Sequence, residues 1–160
     1  MKKSILLLAI LLVLYCAAGA HAQSPGVNPM NKNAQETKIR IAFNNVEAIV
    51  VLFDNPGSRD FASLLPMTVT FEDYAGTEKV TYLSRKLATQ GGMSGRDVQG
   101  DFTYYAPWGN LAVFYKGFGN ADGLYILGRI ESGKEKLAGI SKNFSARIER
   151  VELIDNVVKK

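Results

Sequence analysis

The densest run of chemistry-bearing side chains is Thr103-Tyr104-Tyr105-Ala106-Pro107-Trp108-Gly109-Asn110-Leu111-Ala112-Val113-Phe114-Tyr115. Tyr and Trp join a broad apolar face to a polar tip, which suits ligand recognition better than bond breaking. The same rings can also fill a core. Phe114 reads as core, whereas Tyr105 and Trp108 fit either place, because Trp is seldom fully buried. Arg85 follows the stretch Val80-Thr81-Tyr82-Leu83 and offers a fixed fork of donors for a carbonyl or carboxylate. A lone arginine is also a common solvated surface residue. Arg85, Tyr104, Tyr105 and Trp108 form the candidate ligand-binding set, in a groove suited to an extended peptide or a small anionic ligand.

Other constellations carry less. Gly91-Gly92-Met93-Ser94-Gly95 is glycine-rich, but Arg96-Asp97 follows it. A phosphate loop needs Lys-Ser/Thr at a helix start, and Asp97 would repel phosphate. Glu72 and Asp73 are adjacent in a strand pattern and so point to opposite faces, whereas a glycosidase pair must flank one bond.

The N-terminus narrows the chemistry further. Met1-Lys2-Lys3-Ser4 is a short basic segment, residues 5–18 are apolar, and Gly19-Ala20-His21-Ala22 carries small residues where a signal peptidase reads. That is the pattern of a removable secretory signal, with cleavage expected after Ala22. The apolar run is shorter than the roughly 20 residues a retained span needs, so no membrane span is expected after cleavage. Bulky Tyr15 before Cys16 argues against a lipid anchor on that cysteine. The expected location is the periplasm or cell exterior. Cleavage removes Cys16 and His21, the only Cys and the only His. The remaining chain then has no disulfide, no thiol, no imidazole and no Cys/His zinc site, and it cannot run Ser-His-Asp or Cys-His catalysis. Loss of Lys2 and Lys3 takes the net charge from +4 to +2. The remaining basic residues are spread along the chain, without the concentrated footprint that nucleic acid requires. No cofactor and no metal are expected.

The elements that must position these residues are short. Residues 23–37 are polar, with Pro25, Gly26 and Pro29, and read as a flexible linker. A domain is expected over 38–155, with 156–160 as a tail. Ile39, Ile41 and Phe43 alternate with Arg40 and Ala42 as a strand. Asn44-Asn45 makes a turn and 46–53 returns. Asn55 or Ser58 can cap a short helix with Pro56 in its first turn, ending at Pro66. Strands are expected at 68–72, 79–83, 102–104, 111–115, 124–130 and 144–153. Residues 90–100 and 117–123 read as loops, and 132–140 as a second helix with Ser132 as its cap. Many short strands with two brief helices predict a mostly β, closed or nearly closed small barrel.

The order of elements resembles the cyclophilin-like fold, most strongly a bacterial group of cyclophilin-like proteins. The likeness rests on Asp54-Asn55-Pro56, Asp60-Phe61-Ala62-Ser63-Leu64-Leu65-Pro66, Glu72-Asp73-Tyr74, Arg85-Lys86-Leu87, Tyr104-Tyr105-Ala106-Pro107-Trp108-Gly109-Asn110-Leu111 and Leu127-Gly128-Arg129-Ile130-Glu131-Ser132-Gly133. It implies a small closed antiparallel barrel of about eight strands capped by two short helices. True cyclophilins catalyse X-Pro isomerisation with an arginine beside an apolar pocket. Arg85, in Tyr82-Leu83-Ser84-Arg85, is similar to that arginine's position, with Ser84 where the family has His. Gln99-Gly100-Asp101-Phe102-Thr103 resembles the family's Gln-Gly-Gly-Asp-Phe segment. The catalytic candidates so implied are Arg85 and Gln99. The long segment that cyclophilins place before the Gly-x-Leu strand is missing here, and so are the Phe-Phe-Ile strand and the loop bearing a tryptophan. The family's pocket residues therefore have no counterpart. The expected function is a non-catalytic module binding a peptide, protein or small ligand, with an exported prolyl isomerase as the alternative.

Overall fold

A computed structural model describes residues 36–95, 101–117 and 119–151. The signal segment, nearly all of the linker, Cys16, Gln99 and the tail lie outside the described residues.

The chain opens on a hairpin, β1 (Thr37–Phe43) and β2 (Val46–Leu52), paired from Thr37 with Leu52 to Phe43 with Val46. Asn44 and Asn45 take φ of 45° and 61° at its tip, the left-handed geometry a two-residue hairpin turn needs. Helix α1 (Pro56–Ala62) follows, with Pro56 in its first turn and Asn55 as its cap. The Asn55 Oδ1 accepts from the Ser58 N–H at 2.9 Å, and its Nδ2 donates to the Ile126 carbonyl at 3.0 Å.

Strands β3 (Met67–Tyr74), β4 (Glu78–Tyr82), β5 (Met93–Ser94), β6 (Phe102–Tyr105), β7 (Asn110–Phe114) and β8 (Leu124–Ser132) come next. Helix α2 (Lys134–Ala138) and strand β9 (Phe144–Arg150) complete the fold. The ladder order is β2-β1-β9-β3-β4-β7-β6-β8, and β8 pairs back onto β2. The result is a closed eight-stranded antiparallel barrel with no open edge along the ring. Strand β5 hangs outside on β8, within the stretch read from sequence as loop. A second correction concerns α2. Its cap is Gly133 at φ 83°, not Ser132, which ends β8. A Cβ at Gly133 would sit 2.4 Å from the Glu47 carbonyl oxygen, so close backbone approach decides that position.

The interior is one cluster built on Ile39, Ile41, Val50, Phe61, Phe71, Phe102, Tyr104, Leu111, Val113, Leu127, Phe144 and Ile148. The helices close opposite ends of β2: α1 follows Leu52, and α2 lies beside Ala48. Phe61 of α1 meets Phe102 edge-on at 5.3 Å. Lys79, with no exposed surface, contacts Asp73 and the Ile140 carbonyl, and its ammonium lies 4.7 Å from the Tyr115 ring centre. Among the described residues no helix is long and apolar enough to cross a membrane.

Candidate functional site

Arg85 stands on the loop after β4, and its donors face α1. Nη1 donates to Asp60 Oδ2 at 2.8 Å and Nη2 to Asp60 Oδ1 at 2.7 Å, a two-pronged pair. Nη2 also reaches the Ser63 hydroxyl at 3.2 Å, and Nη1 the Lys86 carbonyl at 3.1 Å. Asp60 Oδ2 accepts in addition from the Ala88 N–H at 2.7 Å. Hydrogen bonding from Arg85, then from Ala88, holds the Asp60 carboxyl down at about 2 and raises Arg85 in return. Both prongs of the fork are thus occupied by an internal carboxylate, and the pair clasps the 83–88 loop to α1. Seating a prolyl carbonyl there would require breaking a charge-assisted two-point contact.

The two neighbouring tyrosines part company. Tyr104 shares the inward face of β6 with Phe102 and is fully buried. Its hydroxyl accepts from the Leu87 N–H at 3.2 Å. It offers no surface to a ligand and belongs to the core, contrary to its place in the sequence-based groove. Tyr105 points outward, because adjacent strand residues face opposite sides.

Trp108 lies in the turn between β6 and β7 and is 51% exposed. Its ring meets Tyr105 edge-on at 5.5 Å and 78°, and Tyr74 at 5.9 Å and 79°. Tyr74 belongs to β3, and β7 and β4 lie between β3 and β6. The indole must therefore cross the outer surface of the β4–β7 pair. On the same outer face Val80 and Ala112 lie opposite each other across that pair. Both are buried yet separate from the interior cluster, which an outer covering explains. Exposed Tyr82, opposite Asn110, extends the patch.

This outer face holds the two buried side-chain oxygens that lack a hydrogen-bond partner among the described residues, Glu78 Oε2 and Asn110 Oδ1. Glu78 is the cross-strand partner of Tyr74, and Asn110 that of Tyr105. Burial pushes the Glu78 carboxyl up. A buried acceptor without a donor costs about 1–3 kcal/mol.

The structure brings Tyr105 and Trp108 together, turns Arg85 toward α1 and places Tyr104 inside. Sequence reasoning missed Asp60, Tyr74, Tyr82, Glu78 and Asn110. Strand parity was the available signal for Tyr105 against Tyr104, whereas the meeting of Tyr74 with Trp108 depends on the β3-β4-β7-β6 ladder. Two shallow hollows, about 680 and 580 Å³, lie at the α2 end beside Asn44. Neither touches Arg85 or Trp108. No group of three metal-ligating side chains occurs among the described residues.

A model of the family described as the cyclophilin-like family matches residues 41–149. The chain is also similar in structure to a hypothetical protein of Archaeoglobus fulgidus solved in solution. The TM-score is 0.58 and the identity 22%, over 76% of this chain and all of the other; at that identity the likeness is one of fold. No curated protein matches the chain.

Proposed function

We propose, from the premise that this chain belongs to the cyclophilin-like family, that it is an exported, non-catalytic module binding extended peptides on the outer face of its barrel. The observation that carries this reading is the half-exposed Trp108 held edge-on between Tyr74 and Tyr105. Exposed, mutually braced rings supply large contact area at low entropic cost, and such residues dominate binding hot spots. The Asp60–Arg85 clasp supports the non-catalytic part. Isomerisation needs a donor preset for the twisted amide, and here the fork is already filled. The small-anion option loses its cation for the same reason. The leader segment supports export, and the N-terminal sequence of protein recovered outside the cytoplasm should begin at Gln23.

Trp108 is the only tryptophan, so its emission reports the patch directly. Titration with extended peptides should give a saturable change. The variant Tyr105→Ala should weaken that binding, and Arg85→Ala should leave it in place. In a protease-coupled assay on an X-Pro peptide, no acceleration is expected. Acceleration lost in Arg85→Ala would overturn this reading in favour of a prolyl isomerase.

A further inference from the structure

We propose that Lys79 is a positioning residue for the ring patch: from inside the barrel, with Asp73 and Tyr115, it locks the tip of the β3–β4 hairpin and so sets Tyr74 where it braces Trp108. The inference rests on the peptide-binding reading above and names the buried group that presets that site.

Three observations converge on it. The first is the network itself. Asp73 and Lys79 are direct partners in the β3–β4 ladder, and Asp73 shares the inward face of β3 with buried Phe71. The Asp73 carboxylate gathers the Lys79 ammonium, the Tyr115 hydroxyl at 2.7 Å and the Gly76 N–H of the hairpin turn. Hydrogen bonds from Lys79, then from Tyr115, hold its carboxyl below the usual carboxylate range, so the grip is in place at neutral pH. The same lysine donates to the Ile140 carbonyl. The Tyr115 and Lys116 N–H groups both donate to the Thr77 carbonyl at 3.1 Å. The hairpin tip is thereby tied to the exit of β7 and to the α2–β9 connection.

The second observation is strain. Ala75 takes φ of 52° beside Gly76 at 66°. An L side chain rarely adopts that region, and it persists only where the surroundings over-determine it. The Asp73 network supplies that constraint on both sides of the turn. The third is placement. Tyr74 follows Asp73, so strand parity puts its ring on the outer face, where it meets Trp108 at 5.9 Å. Tyr74 is 45% exposed, so its ring depends on the backbone beneath it for its place. A buried ion pair is weak evidence for stability, because desolvation offsets its attraction, and its better-attested use is to specify a geometry. A fully buried lysine whose partner adjoins a ring of the patch fits that use.

The test uses the full chain, with Trp108 emission reporting the binding of extended peptides. Combining Lys79→Met with Asp73→Leu replaces the pair by apolar groups, an exchange that often leaves stability unchanged or raised. Its Tm should stay near that of the unaltered protein, whereas peptides should bind roughly three- to tenfold more weakly, the cost of ordering one ring-bearing side chain on binding. In a Tyr74→Ala background the same exchange should alter affinity by less than about twofold, since the lysine acts through Tyr74. Tyr115→Phe removes one donor to Asp73 and keeps the ring, and should weaken binding about two- to threefold. If the double exchange does not fold, Tyr115→Phe with and without Tyr74→Ala decides the matter by the same comparison. Unchanged affinity in a folded variant, or an equal loss in the Tyr74→Ala background, would overturn the inference. If no peptide binds the unaltered protein, the binding reading falls. Nuclear Overhauser contacts between the Tyr74 and Trp108 rings then decide the positioning: they should be present in the unaltered chain and weakened in the variants, and their retention would overturn it.

Discussion

Replacing Asp60 by Asn should separate the structural work of the Arg85 clasp from any catalytic work. The substitution keeps the shape and the acceptor for the Ala88 N–H but removes the charge that Arg85 grips. The Asp60 carboxyl falls from 3.8 to about 2, which at about 1.4 kcal/mol per pH unit sets an upper bound of roughly 2.5 kcal/mol. Arg85 is nearly half exposed, so solvent screening reduces this to about 1 kcal/mol. Near pH 7 that corresponds to a fall of about 4 °C in Tm for a domain of this size. The sign follows from the direction of the shift. A carboxyl depressed on folding stabilises above its unfolded value, and that stabilisation is lost as pH falls toward 2. The gap between the two proteins should therefore shrink by about half near pH 3. Thermal melts across pH 3–7 supply the assay. An unchanged Tm near pH 7, or a gap that does not narrow on acidification, would refute the clasp. The variant also loosens the Arg85 fork, and because the family's apolar pocket has no counterpart beside it, no X-Pro isomerase activity should emerge.

Three further outcomes follow from the packing. Tyr104→Phe removes the acceptor of the buried Leu87 N–H and should cost about 1–2 kcal/mol in urea unfolding, with Trp108 emission unchanged. Gly128→Ala would place a Cβ 2.2 Å from the Val51 carbonyl oxygen where β8 closes onto β2. It should cost more than about 3 kcal/mol or block folding, measured as soluble yield and melting temperature. Asn55→Ala loses both the α1 cap and the bond to Ile126, and should cost about 2 kcal/mol by chemical denaturation.

The barrel was legible in local chemistry. Alternation at Ile39, Ile41 and Phe43, the Asn44-Asn45 turn and the Asn55-Pro56 helix start each encode their geometry within a few residues. The second helix cap was not, because Gly133 is demanded by β2 passing close by and not by its own neighbours. The same limit governs the site. Tyr104 and Tyr105 look equivalent by type, yet strand parity sends one into the core and the other outward. Arg85 and Asp60 are 25 positions apart, and nothing in the spacing pairs them. Lys79 opens a strand expected from sequence, but its burial is not local: the barrel closes around it and supplies Asp73 and the Ile140 carbonyl. Tyr74 and Trp108 meet only because the ladder sets β4 and β7 between their strands.

The separation of rings from guanidinium has one physical origin. Arg85 lies on the flank that faces α1, where Asp60 projects, whereas the β6–β7 turn folds its indole back over the sheet. The central claim is that guests meet the rings and not the arginine. Nuclear magnetic resonance of the full chain during titration with an extended peptide tests this most directly, since the single indole N–H of Trp108 and the Nε–H of Arg85 are both observable. The indole signal and the ring signals of Tyr74 and Tyr105 should shift saturably while Arg85 Nε–H stays in place. Shifts centred on Arg85, or on the hollow beside Asn44, with the indole unmoved, would contradict the account.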